Sequence, residues 1–137
     1  MPNSYTPRRF HTATPYFQVK GADKLIDFMK AAFGAELLNR SNRDDGSVRH
    51  AEVLIGDTVV ELSEAGDRFA ARPSTIHLFV ADTDGCYRRA LEAGATSLYE
   101  PADMPYGERS AGVEDPHGNH WYIATFTAGE GKGYYND

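Results

Sequence analysis

The sequence has 137 residues, of which 41% are hydrophobic and 25% are charged, and these values predict a single globular domain over residues 1–137. Its net charge of −6 argues against a nucleic-acid partner, and no apolar run approaches the roughly 20 residues that cross a bilayer. The first residues also lack the apolar core of a signal peptide, so we expect a cytoplasmic protein that does not bind membranes.

The N-terminal half has the pattern of a strand, a helix and three further strands. Residues 1–11 are polar and residues 128–137 are rich in glycine, so we expect a terminal arm and a terminal tail. A strand is predicted at Thr12–Val19. Asp23 is expected to cap a helix that runs to about Phe33 and stops at the next glycine, because apolar side chains recur there every three or four residues. The other strands of this half are predicted at residues 36–42, 48–55 and 58–63, with a tight turn at 56–57.

The C-terminal half shows the same order of elements after a linker at residues 64–73. Thr75–Val80 is predicted as a strand, and Asp82 or Asp84 as the cap of a helix that runs to about Ala93. A proline-containing loop follows a short strand, and a Pro–Gly turn precedes the last strand. These strands are predicted at residues 97–99, near 110–114 and at 121–126.

The two halves align with a shift of 61 residues, which pairs Thr14 with Thr75 and Asp23 with Asp84. Together with the shared order of elements, this alignment indicates an internal repeat over about residues 12–63 and 74–127. Each half is expected to form a small curved sheet with its helix on one face, which leaves the other face uncovered. We therefore predict an α+β fold in which the two halves pair around a cleft.

Strand alternation predicts which side chains face this cleft. In the first strand of each half, the more apolar residues at alternate positions suit the helix side, and the residues between them suit a ligand pocket. The side chains predicted to bind a small-molecule ligand are Tyr16, Gln18, His50, Glu52, His77, Phe79, His120 and Tyr122. Trp121 has the opposite parity and is expected in the core, and Cys86 is expected to pack on the second helix.

Two further charged side chains each have a functional and a structural interpretation. Glu61 has inward parity, so its carboxylate could act as a catalytic general base; alternatively, it is a structural carboxylate paired with an arginine or a tyrosine hydroxyl. Arg109 could bind an anionic group of the ligand at the mouth of the cleft. Its structural alternative is an ion pair with Glu108, Glu114 or Asp115.

The last predicted hairpin carries the pattern Asp-Pro-x-Gly-x-x-Trp at residues 115–121. This pattern resembles the last hairpin of the glyoxalase/bleomycin-resistance/extradiol-dioxygenase superfamily, the vicinal oxygen chelate fold. The sequence Tyr-Gly-Glu-Arg at residues 106–109 resembles the Tyr-Gly-Asp-Arg element of its PhnB-type branch. The resemblance extends over about residues 12–127. It implies two βαβββ modules in tandem that form a curved mixed sheet around a cleft, commonly in a homodimer.

Metal-dependent members of this superfamily take one histidine or glutamate ligand from the first and last strand of each half. The resemblance carries these positions to Thr14, Glu61, Thr75 and Tyr122. Because only Glu61 among them is an ordinary ligand for a divalent metal, we expect no metal and no other cofactor. A metal site at other residues is still possible, since two histidines and a carboxylate could form a facial triad. The candidates with inward parity are His50, Glu52, Glu61, His77 and His120.

These residues favour a protein that binds a small organic molecule in the cleft without metal and without catalysis, as the bleomycin-resistance branch of the superfamily does. The alternative is a lyase, isomerase or dioxygenase of the same superfamily that uses either a displaced metal or Glu61 as a base. A third interpretation is a PhnB-type protein with an accessory role. Since the fold hosts all of these activities, the choice depends on the site.

Overall fold

One helix and four strands recur twice along the chain in the same order, which confirms the predicted pair of βαβββ modules. The computed structural model describes residues 5–129 and residue 133. The chain divides into two compact units, which we call the N-module (residues 1–73) and the C-module (residues 74–137). Part of the predicted arm and most of the predicted tail lie outside the described residues.

The N-module contains one helix and a mixed four-stranded sheet. Its elements are β1 (Tyr16–Val19), α1 (Ala22–Phe33), β2 (Glu36–Asn42), β3 (Val48–Ile55) and β4 (Thr58–Glu64). The strands lie in the order β1-β4-β3-β2, and β1 is parallel to β4 while the other neighbours are antiparallel. The first strand begins at Tyr16 and not at Thr12, so it is shorter than predicted. Its buried residues Phe17 and Val19 alternate with Tyr16 and Gln18, as the sequence pattern predicts.

The helix of the N-module begins differently from the prediction. Asp23 does not cap α1; the N-cap is Gly21, whose φ of 81° is in the left-handed region that favours glycine. The carboxylate of Glu64 bonds the first amides, at 2.9 Å from the Gly21 nitrogen and 2.9 Å from the Ala22 nitrogen. Glu64, which was expected to be the first residue of a linker, is therefore the last residue of β4. Its carboxylate accepts hydrogen bonds from backbone amides at the start of α1 that have no partner within the helix. Gly34 ends α1 with a φ of 66°, as predicted.

The C-module repeats this architecture. Its elements are β5 (Thr75–Phe79), α2 (Thr83–Glu92), β6 (Thr96–Met104), β7 (Glu108–Glu114) and β8 (His120–Phe126). The strand order is β5-β8-β7-β6, with β5 parallel to β8. Of the two predicted caps of α2, Asp82 is the one that accepts a hydrogen bond, from the Gly85 nitrogen at 3.1 Å.

The sixth strand is much longer than the predicted segment at residues 97–99. It continues through Pro101, which was expected in a loop, because the pairing of β6 with β7 shifts register between Tyr99 and Ala102. The interrupted ladder accommodates a residue that has no amide hydrogen. Strand β7 also begins earlier than predicted, at Glu108, and this places Glu108 and Arg109 within the sheet.

Each helix packs on one face of its own sheet, and the core of each module lies between them. Helix α1 packs on β3 and β4, and α2 packs on β6, β7 and β8. Trp121 is fully buried, as predicted, and its indole Nε1 donates a hydrogen bond to Asp115 at 2.8 Å. Asp115 also accepts from the backbone nitrogens of His117 and Asn119, so one buried carboxylate holds the Asp-Pro turn and positions β8.

Candidate functional site

The sheet face opposite α1 carries a cluster of one histidine and two carboxylates. Glu52 on β3 lies directly opposite Glu61 on β4, and His50 precedes Glu52 by two residues on the same face. The His50 Nε2 atom lies 3.2 Å from Glu52 Oε2 and 3.3 Å from Glu61 Oε1. The three side chains are half-buried, at 33% exposure for His50 and 24% for each glutamate. Three of the predicted site residues therefore meet within the N-module.

Strand β1 adds a tyrosine to this cluster. Tyr16 is the register neighbour of Glu61, and its hydroxyl lies 3.4 Å from the Nδ1 atom of His50. The hydroxyl contact leaves the other ring nitrogen of His50 directed toward the two carboxylates. Gln18 follows on the same face of β1 and is half-buried. Its backbone oxygen accepts a hydrogen bond from the Arg72 nitrogen at 3.0 Å, which holds the end of the predicted linker against this edge strand.

The sheet face opposite α2 is dominated by aromatic rings. His77 on β5 is the register neighbour of Tyr122 on β8, and its ring stacks on Phe79 with centroids 4.6 Å apart. The rings of Tyr99 and Tyr122 are tilted, with centroids 6.2 Å apart. The Tyr99 hydroxyl is 2.8 Å from the Ser110 hydroxyl. These two ring pairs lie on one face of the sheet, and three of the four rings carry a polar atom. We call Tyr99, Tyr122, His77 and Phe79 the aromatic face.

Two histidines of the C-module contact carboxylates. The Nε2 atom of His77 lies 3.2 Å from Oε1 of Glu108, whose side chain is only 2% exposed. His120 pairs with Glu114 at 2.9 Å. The histidines were predicted as ligand-binding residues, whereas Glu108 was considered only as a partner of Arg109. The position of Glu108 on this sheet face could have been predicted from strand alternation. When β7 begins at Glu108, this residue alternates in step with Ser110, Gly112 and Glu114.

Arg109 projects from the helix side of its sheet and not from the aromatic face. It pairs in register with Thr125, whose hydroxyl bonds to Thr83 at the start of α2. The guanidinium donates two hydrogen bonds to Asp84, at 2.6 Å and 3.0 Å, and a third to Asp103 at 3.2 Å. These bonds raise the pKa of Arg109 and lower the pKa of Asp84. The predicted ion-pair partners of Arg109 were therefore wrong, because they lie nearby in sequence while Asp84 lies on the helix that packs against the strand.

The expected partners of Glu61 were also wrong, since His50 and not an arginine lies beside its carboxylate. The metal positions carried over from sequence need a related correction. In register, the neighbour of Glu61 is Tyr16 and the neighbour of Tyr122 is His77, whereas Thr14 precedes β1 and Thr75 pairs with His120. Hydroxyl groups of threonine and neutral tyrosine are poor ligands for a divalent metal. The four carried-over positions thus do not fit the metal of the metal-dependent proteins.

Comparison with known proteins identifies the family. A family model described as the glyoxalase/bleomycin resistance protein/dioxygenase superfamily matches residues 9–123. The chain belongs to this superfamily. An uncharacterized protein of Mycobacterium bovis is 36% identical over 121 residues, which cover 80% of this chain and 80% of the relative. The equal shares covered show that this relative is similar in length to this chain.

Solved structures of the superfamily share the fold with this chain. An antibiotic-binding protein from Streptomyces, TnmS3, has a TM-score of 0.65 at 24% identity, over 85% of this chain and 98% of that one. A PhnB protein from Bacillus cereus has a TM-score of 0.66 at 16% identity, over 84% and 99%. At these identities the likeness shows the fold alone, and it confirms the glyoxalase fold with a PhnB protein as one structural neighbour among several. Within the described part of the chain, neither helix has the length and apolar character of a membrane span.

Proposed function

We propose that this superfamily member binds a small, flat organic molecule, and that the aromatic face of the C-module is the surface that holds it. The observation that carries the proposal is the set of rings with polar tips on one sheet face. Tyr122, Tyr99 and His77 each offer a ring for stacking and a polar atom for hydrogen bonding. Such a surface suits a molecule that is itself aromatic and partly polar.

Burial and charge support the same proposal. Phe79 is 54% exposed although it is a large apolar side chain, and Tyr122 on the neighbouring strand is half-buried. Exposed apolar area next to fixed polar groups is characteristic of binding surfaces. Glu108 and Ser110, both almost fully buried, supply polar groups at the base of this surface. The likeness in fold to TnmS3, described as an antibiotic-binding protein, is consistent with such a ligand.

The experiment is isothermal titration calorimetry of the metal-free protein with three compounds. An anthracycline represents flat polycyclic molecules, bleomycin represents the compound in the family description, and a linear aliphatic amino sugar represents molecules without an aromatic ring. We expect binding of at least one aromatic compound and no binding of the amino sugar. If neither aromatic compound binds at concentrations up to the millimolar range, the proposal is wrong.

An enzyme of the same superfamily is the second candidate, and the contact between His50 and Glu61 favours it. An imidazole and a carboxylate 3.3 Å apart can exchange a proton with a molecule bound beside them on the N-module. Mass spectrometry of each bound compound before and after incubation tests this candidate. A new product that forms with the wild type but not with Glu61→Gln would establish it, and recovery of unchanged compounds would support binding alone.

The predicted single domain and the homodimer stay predictions, and we propose them together with the ligand-binding function. Each module has one sheet face that its own helix does not cover, and isolated sheets with an uncovered face are unstable in water. Calorimetric unfolding in a single transition would support one domain, and two separate transitions would contradict it. Light scattering at a mass of twice 15.1 kDa would support the homodimer.

A further inference from the structure

The cluster of His50, Glu52 and Glu61 places three potential metal ligands together on one sheet. Their ligand atoms all lie within 4.8 Å of one another. His50 and Glu52 are two residues apart on β3, and Glu61 is the register partner of Glu52 on β4. All three therefore come from one hairpin of the N-module, and their convergence depends on no contact outside that module.

The charges in this cluster need a positive partner. Glu52 and Glu61 are like charges directly opposite each other on antiparallel strands, an arrangement that destabilises a sheet. Among the described residues, the basic side chain in ion-pair distance of both carboxylates is His50. Its single Nε2 atom can carry one proton and faces two carboxylate oxygens. A divalent cation would neutralise both carboxylates at once and leave the imidazole neutral.

The contact with Tyr16 fixes the orientation of the His50 ring. Histidines that bind metals usually hydrogen-bond through the other ring nitrogen, which fixes the ring and the protonation of both nitrogens. The Tyr16 hydroxyl is 3.4 Å from His50 Nδ1 and so occupies this supporting position. This contact is geometrically compatible with the orientation of a metal-binding histidine, whose Nε2 atom here faces the two carboxylates.

The distances also match those of a coordination site. Ligands about 2.0–2.2 Å from one metal ion are separated by roughly 2.8–3.6 Å for bond angles between octahedral and tetrahedral values. The two measured separations from His50 Nε2, 3.2 Å to Glu52 and 3.3 Å to Glu61, fall within this interval. The ligand atoms of the two glutamates lie within 4.8 Å of each other, so rotation of their side chains can bring them to ligand spacing.

We propose that His50, Glu52 and Glu61 form a site for a divalent transition metal within the N-module. One imidazole nitrogen and two carboxylate oxygens suit Mn²⁺, Fe²⁺, Co²⁺ or Zn²⁺, and three protein ligands leave positions open for water or for oxygen atoms of a bound molecule. Of the four family positions carried over from sequence, this site includes only Glu61. It takes its other two ligands from β3. The inference goes beyond the proposed binding function and does not depend on it.

The test is a metal titration of untagged protein that has been stripped with a chelator. Calorimetry with Zn²⁺ and Mn²⁺, and the visible absorption of Co²⁺, report affinity and stoichiometry without any organic ligand. We expect one equivalent of metal per chain. Glu52→Gln and Glu61→Gln should each lower the affinity by about 100-fold or more, and Tyr16→Phe by roughly tenfold, because it removes only the supporting contact.

The matched control is Glu114→Gln in the C-module. It alters a histidine–carboxylate pair that has a single carboxylate, so the metal affinity should be unchanged. Absence of stoichiometric binding by the wild type at millimolar metal would overturn the proposal, whatever the variants do. Equal affinity of the wild type, Glu52→Gln and Glu61→Gln would also overturn it, because the metal would then bind elsewhere. If the wild-type protein binds metal but none of the aromatic compounds, the proposed binding function alone is overturned.

Discussion

The ring of Tyr99 lies directly over Gly112, on the face where a side chain of Gly112 would stand. Strand β6 approaches β7 closely at this point, since the two residues are register partners. The absence of a Cβ atom at Gly112 therefore allows the Tyr99 ring to approach Tyr122 and its hydroxyl to bond Ser110. One glycine thus shapes the proposed ligand-binding surface.

Gly112→Ala is expected to displace the Tyr99 ring and to destabilise the protein by about 1–3 kcal/mol, as overpacked sites do. It should also weaken binding to the aromatic face. Urea denaturation measures the first effect and calorimetry the second. Gly66→Ala is the control, because a Cβ atom there meets nothing within 4 Å, and its effect should stay within about 0.5 kcal/mol. Equal stability of the two variants would show that Tyr99 has room to move.

Glu64→Gln is expected to destabilise the protein by about 0.5–2 kcal/mol, the range seen when a helix cap is lost. The carboxylate bonds the amides of Gly21 and Ala22, and an amide group can accept fewer and weaker hydrogen bonds. Asp23→Asn is the matched control on the same helix turn and should have a smaller effect, since Asp23 makes no capping bond. If Asp23→Asn lowers the stability more than Glu64→Gln does, Asp23 is the cap of α1, as the sequence predicted.

The ion pair of Asp84 and Arg109 predicts a pH dependence of stability. Hydrogen bonds from Arg109 hold the pKa of Asp84 below its ordinary value of 3.8. The pair therefore stabilises the protein above that pH, and the contribution is lost as the pH falls through the lowered pKa. The difference in unfolding free energy between wild type and Asp84→Asn should be present at pH 7 and should shrink as the pH falls below 3.8. The exposed control Asp67→Asn should show no such change, and a difference that grows as the pH falls would contradict the sign.

The strand alternation was predictable from the sequence because it is local. Phe17 and Val19 are buried while Tyr16 and Gln18 on the same strand are not, and the same parity places Trp121 in the core and leaves Tyr122 on the opposite face. The turn at residues 56–57 also determines the register of β3 with β4, so Glu52 opposite Glu61 follows from a two-residue turn. The strand alternation and the turn length together are therefore sufficient to predict that the two carboxylates of the proposed metal site lie next to each other.

What the sequence did not provide are contacts between distant segments. Glu64 caps a helix that begins more than 40 residues earlier, and Asp84 bonds an arginine 25 residues later. Neither pairing leaves a periodic signal, because each depends on how a helix packs on its sheet. The length of β6 was missed for another reason, since its register shifts interrupt the alternation by which strands are recognised.

Neighbouring residues on β8 give the most direct test of the central claim, that the sheet face opposite α2 binds the ligand. Tyr122 lies on that face, and the next residue, Ile123, is fully buried on the other. Calorimetric titration with an anthracycline is compared for Tyr122→Ala and Ile123→Val. We predict that Tyr122→Ala weakens binding about tenfold or more with little loss of stability, because an aromatic contact is removed. Ile123→Val should lower stability by about 0.5–1.5 kcal/mol and leave affinity unchanged. Unchanged affinity in Tyr122→Ala together with weakened binding in Ile123→Val would contradict the account.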